Sequence, residues 1–151
     1  MSRSRGSRRI VGTIAVMLLS VSGCTVASPD PADYRERTEL AVGDAISHLA
    51  TTEKVLRAAE EDKVLGTYAL TTVRASDAML ETAVGAYAEL YPPEQLDALA
   101  GRVDRLLGDA SDLVGDSRIA LHRGRRAEYP ALIEDLESLL EEMEEFEGRL
   151  S

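Results

Sequence analysis

From residue 32 to the end of the chain, apolar side chains return every three or four positions, and no run alternates as a half-buried strand would. The spacing predicts helices throughout. The first runs over 32–65, with Val42, Ile46, Leu49, Leu56 and Ala59 on one stripe, Gly66 as a left-handed stop and Thr67 as the cap of the next helix. The second runs from Tyr68 to Leu90 and turns Ala69, Thr72, Ala75, Ser76, Met79, Ala83, Ala86 and Leu90 inward. Tyr91-Pro92-Pro93 breaks it, and Pro93 suits the first turn of its successor. The third shows the clearest seam, Leu96, Leu99, Val103, Leu106, Ala110, Leu113, Ser117 and Leu121. It stops at Gly124, with His122 and Arg123 in the last turn, where the helix dipole favours cations. The fourth begins between Arg125 and Pro130 and buries Leu132, Leu136, Leu139, Leu140, Met143, Phe146 and Leu150 behind a face that is almost all Glu.

Four long helices with short connections predict an all-α fold, an antiparallel up-down-up-down four-helix bundle over 32–151. A three-helix bundle follows instead if the first two helices fuse through Gly66. The length suits one domain with a core of Leu, Ala and Val.

The first 31 residues read differently. Arg3, Arg5, Arg8 and Arg9 precede an apolar stretch of 12 residues, Ile10 to Val21, shorter than the roughly 20 that span a bilayer as a helix. A basic start, a short apolar middle and a small-residue exit describe a secretory signal peptide over residues 1–23. Its exit, Val21-Ser22-Gly23-Cys24, resembles the lipobox of bacterial lipoproteins. The resemblance implies that Val21, Ser22 and Gly23 are recognised by the signal peptidase. It also implies that Cys24 receives diacylglycerol, that cleavage falls just before it and that palmitate-type chains anchor the product. Residues 24–31 are then the lipidated cysteine and a short tether. Ser7-Arg8-Arg9-Ile10-Val11 also resembles a twin-arginine export signal, which would mean export after folding. Two Lys against fifteen Arg in an Ala-rich chain is usage associated with a high-GC Gram-positive bacterium.

Charge sharpens the location. Cleavage before Cys24 leaves 13 basic residues against 27 acidic ones, a net charge of −14. Such a surface repels nucleic acid and anionic headgroups. The expected partners are therefore the cell membrane, reached through the lipid on its extracytoplasmic face, and a protein of unstated identity.

Two features are candidate contact surfaces. Gly101, Gly108 and Gly115 recur every seven residues and project away from Val103, Leu106 and Leu113, where a second helix could approach closely. Arg118, His122, Arg123, Arg125 and Arg126 form a basic cluster on an acidic chain, expected at the pole that also holds Glu60, Glu61 and Asp62. Helix-end electrostatics and neutralisation by those acids are the favoured explanation of the cluster, ahead of a docking site.

Chemistry finds little purchase. Asp109, Asp112 and Asp116 lack the alternate spacing of a calcium loop, and no Glu-x-x-His pair occurs. His48 and His122 fall far apart along the predicted helices. No nucleophile elbow or phosphate loop is present, and Glu137, Glu141 and Glu145 lie on a solvated face that would not move their pKa values apart. The expectation is a non-enzymatic adaptor, scaffold or accessory subunit without metal or cofactor. The alternative is a ligand-binding or sensory bundle acting through a membrane partner.

Overall fold

The computed structural model describes residues 30–150, and within them the chain is all-helical. Helix α1 spans Pro31–Glu60, α2 Gly66–Ala88, α3 Asp97–Arg123 and α4 Tyr129–Glu147. Short 3-10 turns at Glu94–Leu96 and Arg126–Glu128 lead directly into α3 and α4. The expected lipidation site Cys24, the expected recognition residues Val21, Ser22 and Gly23, and the segment resembling a twin-arginine signal lie outside the described residues.

Local chemistry explains the boundaries. Asp30 caps α1 by accepting a hydrogen bond from the Ala32 N–H at 2.9 Å, and Pro31 occupies the first turn, where its missing N–H costs nothing. α1 ends before the predicted stop. Asp62, not Gly66, takes the left-handed conformation, with φ 57°. The Lys63 and Asp62 N–H groups then reach back to the carbonyls of Ala58 and Ala59, at 2.8 and 3.3 Å. Aspartate tolerates this region better than most side chains. Gly66 instead opens α2, and Thr67 lies inside it rather than capping it. The five residues between α1 and α2 keep them separate, which removes the three-helix alternative. α3 ends as expected. Gly124 adopts φ 64°, and the Arg125 N–H returns to the Ala120 carbonyl at 2.9 Å, the same two-bond closure.

α1 packs on α2, α4 and α3, while α3 packs on α2 and α4. Leu49, Leu56, Leu80, Leu106, Leu107, Leu136 and Met143 fill the centre with almost no exposure. Among the positions expected inside α1, Val42, Leu49, Leu56 and Ala59 are buried and Ile46 is half-buried. Thr38, Thr52 and Ser117 are also buried, because each donates its hydroxyl to the carbonyl one turn back at 2.8–2.9 Å.

α2 departs from its predicted orientation. Ala69, Val73, Ser76, Leu80 and Tyr87 face the core, whereas Ala75, Met79 and Ala86 are exposed. The helix carries two uncharged stripes about a quarter-turn apart, and the one that carries Val73 and Leu80 lies against the core, where α2 packs on α1 and α3.

Candidate functional site

The pole formed by the end of α1 and the α3–α4 connection brings part of the basic cluster together with part of the acidic one. Arg126 stands at its centre. Its Nη1 donates to Asp62 Oδ1 at 2.7 Å, and its Nη2 donates to the carbonyls of Glu60 and Ala59 at 2.9 and 3.1 Å. Those carbonyls belong to the last turn of α1, where the Ala59 carbonyl also receives the Asp62 N–H and the Glu60 carbonyl lies past the last intrahelical donor. One planar guanidinium therefore holds the left-handed Asp62 and closes α1. The Asp62 carboxylate keeps the Arg126 guanidinium above its ordinary pKa. The other members of the cluster disperse. Arg118 is drawn to Asp77 on α2, Nε to Oδ2 at 2.7 Å, and Arg125 pairs with Glu128 three residues on at 3.2 Å. His122 and Arg123 stand exposed in the last turn of α3. Glu61 pairs with Lys63 at 2.5 Å, and that contact lowers its pKa below the usual carboxylate value.

The glycines of α3 lie where the heptad spacing put them. Gly101 and Gly108 are exposed and Gly115 is half-buried. A Cβ built at any of the three meets nothing within 4 Å. The strip is open to an approaching helix, and among the described residues no contact requires glycine there.

At the other end of α1, the Tyr34 and Tyr87 hydroxyls share a hydrogen bond of 2.6 Å while the residues are 2% and 5% exposed. Burial raises the pKa of Tyr87 far above its ordinary value of 10, with the Tyr34 bond adding to the effect. Beside this pair an apolar groove of about 170 Å³ runs between Leu40 and Ala41 of α1 and Ala83, Ala86 and Leu90 of α2, with Arg37 and Asp44 as its polar lining. Leu40 is 64% exposed at this groove. A second groove, about 390 Å³, lies between α3 and α4 and gathers Asp109, Asp112, Asp135 and Glu142 around Leu113 and Leu139. Among the described residues no set of three His, Cys, Asp or Glu is grouped closely enough to hold a metal ion. No helix of the described residues is long and apolar enough to cross a membrane.

Three arrangements escaped the periodicity. Tyr34 lies eight residues before Val42 and continues the α1 stripe, but polar Thr38 interrupts the apolar signal between them. Nothing in spacing pairs Tyr34 with Tyr87, 53 residues away. Glu53 is nearly buried, at 9% exposure, and it accepts from Arg57 Nε at 2.6 Å, while Arg57 Nη2 crosses to Glu137 of α4, also at 2.6 Å. No protein-family model, no curated protein and no solved structure matches the chain.

Proposed function

We propose that this chain is a lipoprotein held on the extracytoplasmic face of a bacterial membrane, where it presents a helical bundle for contact with a protein partner and performs no catalysis itself. The observation that carries the reading is the Val21-Ser22-Gly23-Cys24 segment closing a short apolar run, seven positions before α1 begins at Pro31. At up to about 3.5 Å per residue, seven residues reach roughly 25 Å, so the helical body stays near the anchor.

The proposed arrangement is antiparallel and up-down-up-down. Its support is that the start of α1 meets the end of α2 through Tyr34 and Tyr87, and the end of α1 meets the α3–α4 connection through Arg126. In that arrangement the Arg126 pole points away from the membrane, and the open strip of Gly101, Gly108 and Gly115 runs along the side of the body. That strip and the exposed end of α3 around Arg123 are the proposed contact surfaces, with Arg118, Arg125 and Arg126 held in ion pairs beneath or beside them. The alternative reading, a sensory or ligand-binding bundle, draws on the apolar groove beside Tyr87.

The test is fractionation of cells expressing the full chain or Cys24→Ala. The full chain is expected in the membrane fraction, with a mature amino terminus at Cys24 whose mass includes acyl chains. If Cys24→Ala and the unchanged chain fractionate alike, with no acyl mass on either, the anchor is wrong. Crosslinking in native membranes then separates the two readings of the body: an adaptor captures a protein, whereas a sensor's melting temperature rises with a small molecule.

A further inference from the structure

The core uses only one of the two stripes on α2. The other consists of Tyr68, Thr72, Ala75, Met79, Thr82 and Ala86, at steps of four and three along the whole helix. All six are exposed except half-buried Thr72, and the two large members are well exposed, Tyr68 at 58% and Met79 at 59%. None is charged. Thr71, Ala78 and Gly85, which border the stripe on its outer side, are uncharged and small as well. On a chain of net charge −10, whose α4 turns Glu134, Glu137, Glu141, Glu144 and Glu145 outward, this face is where another acidic molecule meets no like charge.

We propose that this face is covered by α2 of a second copy of the chain, running antiparallel. The argument for a second copy is self-complementarity. When two α2 helices are centred on residue 77 in opposite directions, Tyr68 faces Ala86 of the other copy, Ala75 faces Met79, and Thr72 faces Thr82. A two-fold axis repeats each pair, so large meets small throughout and the threonines meet each other. A parallel pair would set Tyr68 on Tyr68 and Met79 on Met79, with gaps at Ala75 and Ala86. The 4-3 spacing is that of a coiled-coil seam, and the small bordering residues let the backbones approach. The 23 residues of α2 span about 34 Å. A strip one helix wide covers on the order of 400 Å² per copy, about half of a standard interface. The pair is therefore weak and reversible, formed where copies are concentrated. It does not depend on how the chain is anchored.

The test is oxidative crosslinking of the full-length chain in intact cells, with Tyr68→Cys and Ala86→Cys placed on differently tagged copies. The mixture is expected to give a heterotypic dimer. Each variant alone should give no more dimer than the unchanged chain, which carries Cys24 and sets the background. In the antiparallel pair, equivalent positions lie 18 residues apart along the seam, about 27 Å, far beyond the ~7 Å between Cα atoms that a disulfide spans. Adding Met79→Glu to both copies should lower the crosslinked fraction at least tenfold without changing the melting temperature, because Met79 is exposed in the single chain. Dimer from Tyr68→Cys alone, no dimer from the mixture, linkage only to a different protein, or indifference to Met79→Glu would each overturn the proposal.

Discussion

Replacing either tyrosine of the buried pair by phenylalanine removes a single oxygen and leaves the packing volume intact. Tyr87→Phe orphans the Tyr34 hydroxyl in a site where the residue is 2% exposed. A buried polar group left without its partner costs about 1–3 kcal/mol, and the enclosure of this one puts the expected loss near 2 kcal/mol. Tyr34→Phe orphans the Tyr87 hydroxyl, at 5% exposure, and should cost a similar amount, about 2 kcal/mol. The double variant buries no unpaired hydroxyl, so its loss should fall below the sum of the two by about 1–2 kcal/mol. For a body of this size each kcal/mol moves the melting temperature by about 3–6 °C.

The same pair sets an alkaline limit. Burial raises the pKa of Tyr87 in the folded state, so its contribution is fully present below the ordinary value of 10. Above that pH the unfolded chain releases the proton and the folded one keeps it, and stability falls with rising pH by up to about 1.4 kcal/mol per unit. Tyr87→Phe should remove that share of the slope, leaving the smaller contribution of Tyr129, whose pKa burial also raises. Urea unfolding of the four chains near pH 7 and above pH 10 measures both effects. If the single losses add to the double within about 0.5 kcal/mol, or the alkaline slope is the same with and without Tyr87, the hydroxyl bond does not hold α1 to α2.

Alanine at Gly101 or Gly108 should stabilise the folded chain by up to about 1 kcal/mol, since the added Cβ meets open space in a helix interior, and a simultaneous loss of partner capture would mark the strip as a contact surface. Gly124→Ala should do the reverse, costing about 1 kcal/mol in thermal unfolding, because its backbone stands at φ 64°. Arg126→Ala should lower the melting temperature where Arg123→Ala leaves it unchanged, and Arg126→Lys should restore only part of the loss. An ammonium cannot reach Asp62 and two carbonyls with the fixed fork of a guanidinium.

Much of this protein follows from spacing and from a few special residues. The 3-4 recurrence of apolar positions determines four helices. Pro92-Pro93 and Gly124 determine where two of them end, since these residues permit few backbone choices. The outward direction of Gly101 and Gly108 also follows from the helical period once the inward side of α3 is known. What spacing could not decide was which of two uncharged stripes on α2 faces in. Both satisfy the period, and the packing of α2 on α1 and α3 settles it for Val73 and Leu80 over Thr72 and Met79. Nor could it move the first stop from Gly66 to Asp62, because that aspartate's left-handed turn is held by Arg126 from 64 residues away. The Tyr34–Tyr87 bond and the reach of Arg57 to Glu137 belong to the same class. Local periodicity reports which side of a helix is apolar. The tertiary structure decides which apolar side is used and which distant polar groups meet, because both depend on the shape of neighbours that sequence spacing does not encode.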